Sequence, residues 1–259
     1  MKRIRILAAF MAVLMIVGTV PALAADTEPA AEEAVSALET VDSPVEEAVD
    51  WKLLLVNPWN PLPDGYTVEL KRLFNGLKVD ARIYDDLAAM LTACREDGLQ
   101  PIVCSAYRPM ATQQRLYRNK IARLRAAGYS QEAAIQEAGR WVAVPGTSEH
   151  QTGMALDIVA ASYQLLDQKQ EETAEQKWLM EHCWEYGFIL RYPKDKCDIT
   201  GIGYEPWHYR YVGREAAAEM RDKDLCLEEY LRGAAETPTE QPIEEQMVEK
   251  AAEPTAETT

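Results

Sequence analysis

Apolar residues recur at helical spacing over Ile83, Leu87, Met90, Leu91 and Cys94, which predicts a helix with Asp80 as its N-cap and Gly98 as its stop. Pro101 to Ala106 is a short apolar run of strand length, and Tyr107-Arg108-Pro109 takes the chain out of the sheet. Thr112 is placed to cap a second helix through Leu116, Ile121 and Leu124 to Gly128, and Ser130 a third through Ala134 and Ala138 to Trp141. Val144-Pro145-Gly146-Thr147 reads as a turn. A strand is expected from Met154 to Val159, then a helix from Glu175 to Tyr186 closed by Gly187. Strands follow at Phe188 to Tyr192 and Trp207 to Val212, and short helices at Glu215 to Lys223 and Leu227 to Leu231. Upstream, Pro58, Pro61 and Pro63 make residues 53–66 an extended strap rather than a helix. Most helices precede most strands, without regular βαβ alternation and without internal repeats. The pattern predicts a single α+β domain with a small, mainly antiparallel sheet and flanking helices.

The ends of the chain read differently. Lys2, Arg3 and Arg5 precede an apolar run from Ile6 to Val17, and Ala22-Leu23-Ala24 follows, so residues 1–24 have the parts of a secretory signal peptide. The run is shorter than the roughly 20 residues that span a bilayer. An uncleaved anchor is the alternative; any membrane contact would pass through that segment. Either way the remainder is expected to be secreted or extracytoplasmic. Residues 25–50 and 234–259 are acidic, lack aromatic residues and bury too little apolar surface to offset ordering, so both read as disordered linkers. Residues 51–233 remain as the folded domain.

Charge then changes the picture less than the total of −15 suggests. The two tails hold 16 carboxylates and one lysine, so residues 51–233 carry a net charge of only −3. That argues against nucleic acid as a partner. The five cysteines form no C-x-x-C pair, which disfavours a thiolate zinc site. In an exported chain Cys183 with Cys197 is the favoured disulfide, because it closes a short loop; buried, unpaired cysteines are the alternative.

Of three histidines, two sit in suggestive surroundings. His150 lies in Ser148-Glu149-His150-Gln151-Thr152-Gly153, just before Asp157, and His208 lies in Glu205-Pro206-Trp207-His208. Two imidazoles and a carboxylate make the three-ligand set that a catalytic zinc needs beside an open position. Gly153 permits the tight turn that lets His150 and Asp157 approach one point. Asp157 is flanked by Ala155, Leu156, Ile158 and Val159, so its charge wants a cation or strong donors beside it. Glu205 is placed to accept a proton from an activated water. His182 has no such company and reads as structural or surface. On residues alone, hydrogen-bonded core histidines remain an open alternative.

Ser148-x-His150-x-x-Gly153-x-Ala155-x-Asp157 followed by Glu205-x-x-His208 resembles the signature of VanY-type D-alanyl-D-alanine carboxypeptidases, zinc metallopeptidases of the LAS group. Ser105-Ala106-Tyr107-Arg108-Pro109 with Gln113, and the strap Leu55 to Pro63, extend the likeness in the same order. The resemblance implies one Zn²⁺ per chain on His150, Asp157 and His208, with Glu205 as general base. It implies that Arg108 stabilises the oxyanion or a carboxylate, that Gln113 and Ser148 help hold the substrate's terminal carboxylate, and that Tyr107 and Trp207 wall the pocket. The implied partner is a peptidoglycan stem peptide ending in D-Ala-D-Ala, hydrolysed by a monomer. L,D-carboxypeptidase action on tetrapeptide stems, or a zinc-binding cell-wall module without catalysis, are the competing readings.

Overall fold

The computed structural model describes residues 50–236. The predicted signal segment, most of the first linker and most of the C-terminal tail lie outside the described residues. No helix among those described is long and apolar enough to cross a membrane.

The chain enters as the expected strap, which leads into a hairpin that the apolar pattern did not reveal, β1 (Leu70–Arg72) with β2 (Lys78–Asp80). Both strands are three residues long, too short for period-2 alternation to register. Asp80 caps a short 3₁₀ turn by accepting from the Arg82 N–H, and α1 (Tyr84–Glu96) continues from it. β3 (Pro101–Ser105) follows, then α2 (Met110–Ala126). The cap of α2 is Pro109, not Thr112: its extended φ and ψ end the preceding loop, and Pro is readily placed at a helix start. Ser130 caps α3 (Gln131–Gly139) as expected, its hydroxyl accepting from the Ala133 N–H. A 3₁₀ turn over Glu149–Thr152 leads into β4 (Ala155–Ala160). The predicted helix at 175–186 divides into α4 (Ala174–His182) and a 3₁₀ turn (Cys183–Tyr186), ended by Gly187 at φ +81°. β5 (Phe188–Leu190), α5 (Cys197–Thr200), β6 (His208–Tyr211), α6 (Arg214–Asp222) and α7 (Leu227–Glu236) complete the described chain.

The main sheet has the order β3-β4-β6-β5, and every pairing in it is antiparallel. One face is apolar. Leu156 and Ile158 of β4 and Tyr209 and Tyr211 of β6 pack against Leu87, Met90 and Leu91 of α1 and Leu179 of α4. Each fully buried aliphatic side chain here contributes about 1.5–3 kcal/mol. The alternate positions of the same strands, Asp157, His208 and Arg210, point to the opposite face. All five cysteines are free, which corrects the expected Cys183–Cys197 bridge. The Cys183 side chain is committed to the core, whereas the Cys197 thiol bonds the Pro193 and Lys194 carbonyls in its own turn.

Candidate metal and active site

The site is assembled by strand register. Asp157 on β4 and His208 on β6 are direct antiparallel partners, which places their side chains side by side on the polar face. His208 Nδ1 lies 3.1 Å from Asp157 Oδ1. His150 arrives from the 3₁₀ turn, with its Nε2 3.3 Å from Asp157 Oδ2. The turn reaches β4 only through Gly153 at φ +79°, where a Cβ would stand 2.9 Å from the Asp80 backbone nitrogen. Glycine is therefore required there for conformation and for space. The three potential ligand atoms lie within 4.8 Å of one another, and all three residues are buried.

The hydrogen bonds fix which ring nitrogens face inward. His150 Nδ1 lies 2.9 Å from the Ala106 carbonyl, so it must be the protonated nitrogen, and Nε2 presents a bare lone pair to Asp157. Burial holds the His150 pKa below its usual value, which keeps the ring neutral. A lone pair facing a carboxylate oxygen at 3.3 Å is unfavourable unless a cation lies between them. For His208, Nε2 points at Glu149 Oε2 at 3.7 Å, and these two buried atoms have no hydrogen-bond partner among the described residues. A proton on Nε2 directed at Glu149 leaves the Nδ1 lone pair for a metal, the arrangement in which an outer carboxylate orients a ligating histidine. Burial alone would depress His208, but its bond to Asp157 and the nearby Glu149 and Glu205 carboxylates carry its pKa up to about 9, so a proton supplies the positive charge when no metal does. Asp157 stays ionised despite burial, held well below the usual carboxylate range by the two imidazoles. Two neutral nitrogen donors and one carboxylate, with polar atoms that only a cation satisfies, fit Zn²⁺.

Glu205 projects beside this cluster, its Oε2 3.7 Å from His208 Nδ1. Burial pushes its pKa up to about 8, with Asp157 adding to the rise and His208 and Arg108 opposing it. Such a carboxyl exchanges protons near neutrality, the property of a general base. Arg108 stands across the cluster, its Nη2 3.7 Å from Asp157 Oδ2. Its guanidinium is fixed by Gln113 Oε1 and Ser105 Oγ, both at 2.8 Å.

These groups line one cleft of about 520 Å³ together with Ser148 and Trp207. Ser148 accepts no capping bond from its own turn, which leaves its hydroxyl available. Gln113 and Tyr107 are placed differently from expectation. Gln113 is fully buried behind Arg108, and its carboxamide is occupied by Arg108 and the Ala143 carbonyl, so it positions the arginine instead of facing the cleft. Tyr107 is not among the cleft-lining residues. His182 stands apart, paired with Glu185 and packed on Trp178.

The model for the VanY D-alanyl-D-alanine carboxypeptidase family matches residues 76–214, which hold every one of these side chains. The chain belongs to that family. It is 48% identical over 184 residues to a D-alanyl-D-alanine carboxypeptidase of Enterococcus faecalis, covering 70% of this chain and 66% of that protein. Among solved structures it is similar to the VanY D,D-pentapeptidase of a VanB-type resistance cassette, in an E-to-A mutant form in complex with Zn(II) (48% identity, TM-score 0.65, 70% of this chain and 99% of that one). It is also similar to VanYB in complex with D-alanine-D-alanine (49% identity, TM-score 0.66, 71% and 98%).

Sequence reasoning passed over Glu149, the x between Ser148 and His150. It is buried and accepts from Arg191 Nε at 2.8 Å and Arg210 Nη1 at 2.7 Å. Full burial opposes its charge, but the two guanidiniums keep it ionised. The signal was present in two arginines set among apolar and aromatic strand residues, Ile189-Leu190-Arg191-Tyr192 and Tyr209-Arg210-Tyr211. An arginine in such a run requires a buried acid.

Proposed function

We propose that this chain is a zinc-dependent D-alanyl-D-alanine carboxypeptidase that hydrolyses the terminal D-alanine from peptidoglycan stem peptides. The observation that carries the reading is the convergence of the His150, Asp157 and His208 ligand atoms beside a buried Glu205 that titrates near neutrality. Zinc, when bound, polarises the scissile carbonyl and lowers the pKa of a water it holds.

The chain's own groups do the rest. Glu205 takes the proton from the attacking water and returns it to the leaving amine of D-alanine. Arg108, held flat by Gln113 and Ser105, offers fixed donors to the oxygen on which charge develops or to the substrate's terminal carboxylate. The Ser148 hydroxyl is a further donor for that carboxylate, and Trp207 closes the wall. Glu149 keeps His208 turned so that Nδ1 faces the ligand cluster. Action outside the cytoplasm is part of the proposal and rests on the signal-like residues 1–24. Export is tested by N-terminal sequencing of the protein recovered from the culture medium.

The deciding experiment incubates the zinc-loaded chain with a pentapeptide ending in D-Ala-D-Ala and, separately, with the matching tetrapeptide. Released D-alanine is followed by mass spectrometry, with a chelator control. Chelator-sensitive release from the pentapeptide alone supports the proposal. Release from the tetrapeptide would move the reading to L,D-specificity, and release from neither, with zinc bound, would leave a non-catalytic wall-binding module.

A further inference from the structure

The cleft does not end at the catalytic cluster. It continues along α2, where Asn119, Lys120 and Arg123 line it. Helix α2 is unusual in charge: Arg115, Arg118, Lys120, Arg123 and Arg125 lie within it, and it contains no Asp or Glu. No i,i+4 acid on the helix can neutralise these cations. Among the described residues Lys120 and Arg123 join no ion pair; the Lys120 ammonium stands 5.8 Å from the centre of the Trp141 ring. The one carboxylate on the facing loop, Asp167, accepts from the Lys169 N–H and the Tyr163 hydroxyl and makes no ion pair with either cation. Beyond the catalytic cluster the cleft therefore presents two cations that join no ion pair, although residues 51–233 as a whole are slightly acidic.

The helix also supplies a ruler. Gln113 marks its catalytic end, because its side chain holds Arg108. At 1.5 Å per residue, Lys120 lies about 10 Å further along the axis and Arg123 about 15 Å. An extended peptide advances about 3.3–3.6 Å per residue, so this distance corresponds to roughly three to four residues of bound substrate. We infer that Lys120 and Arg123 form a subsite for a free carboxylate carried on the substrate peptide three to four residues from the scissile bond, and so make this enzyme prefer an acidic stem over the same stem with that carboxylate amidated. The inference rests on the peptidase reading above and specifies its substrate.

The test uses two pentapeptides ending in D-Ala-D-Ala that differ only in whether one upstream carboxylate is free or amidated. The readout is the ratio of kcat/KM for acid over amide, with the zinc-loaded full chain at low ionic strength. The expected ratio is about fivefold, the size that two partly exposed charges give, and it falls toward one as salt screens the site. In the Lys120→Gln/Arg123→Gln double variant the ratio falls to about one, and in the Lys120→Glu/Arg123→Glu variant it inverts. A ratio of one in the parent chain, or an unchanged ratio in both double variants, would overturn the subsite. Calorimetric affinities of the two peptides for the zinc-loaded Glu205→Gln protein give the same ratio without turnover. Absence of hydrolysis with a retained affinity ratio would therefore count against the peptidase reading and not against the subsite.

Discussion

Two buried charged clusters lie back to back in this molecule, and they are built on opposite principles. The Glu149, Arg191, Arg210 and Glu228 cluster is closed. Arg191 donates to Glu149 at 2.8 Å and to both oxygens of Glu228 at 2.7 and 2.9 Å, while Arg210 adds Glu149 and the Lys52 and Leu54 carbonyls of the strap. The His150, Asp157, His208 and Glu205 cluster is open. Its nitrogen lone pairs and carboxylate oxygens converge on one another, and Arg108 stands to one side, 3.7 Å from Asp157 Oδ2 and bonded to Gln113 and Ser105 instead. The same residue types thus give a structural clamp where guanidiniums hydrogen-bond the carboxylates directly and a ligand site where they do not. Glu149 belongs to both, since one carboxylate oxygen serves the arginines and the other faces His208.

The comparison is broken most severely at Glu205. Its replacement in Glu205→Gln is expected to lower kcat by about 10²–10⁴-fold, the usual contribution of a general base, while zinc content measured by atomic absorption stays at one per chain. Loss of zinc together with activity would instead make Glu205 part of the metal site. The closed cluster should respond in stability, not in chemistry. Arg191→Met leaves Glu149 and Glu228 short of a buried partner, and urea unfolding should register a loss of about 3–5 kcal/mol. A loss below 1 kcal/mol would mean that the clamp contributes little.

The open cluster should gain from what the closed one already has. Zinc at 100 times its Kd should stabilise the chain by about 2.7 kcal/mol, a shift reversed by chelator and absent in His208→Ala. The smallest effect concerns pH. Burial opposes the Glu228 charge, but Arg191 and Asn57 hold its pKa below the ordinary 4.5. The stability it contributes is present above that ordinary value and is lost as pH falls through the lowered one. Parent and Glu228→Gln should therefore differ by about 1 kcal/mol at pH 7, and the gap should close in acid unfolding curves as pH falls through the lowered Glu228 pKa. A gap constant across that range would show that the charge of Glu228 is not what the clamp uses.

The legibility of each region follows from the range of its causes. Helix α1 was readable because Leu87, Met90, Leu91 and Cys94 repeat every three or four residues. The β1–β2 hairpin was not, because each strand has only three residues. The start of α2 was misplaced because several side chains there can begin a helix and backbone geometry chose Pro109. His150, Asp157 and His208 were legible as ligand-type residues at motif spacing, and the fold brings their ligand atoms within 4.8 Å of one another. The resemblance implies a substrate contact for Gln113; the fold buries it behind Arg108, where its carboxamide holds the arginine.

By itself the sequence determined which residues were available for chemistry, the α+β character of residues 51–233 and the family to which the chain belongs. These are local properties: side-chain type, short-range periodicity and spacing within motifs of a dozen residues or fewer. The tertiary structure alone decided which groups meet across long separations. It set Asp157 opposite His208 by strand register, turned His208 Nε2 toward Glu149, left Cys183 and Cys197 unbridged and aligned Lys120 and Arg123 with the cleft. Such pairings depend on how the sheet registers and on which face each strand and helix buries, and no single stretch of the chain carries that information.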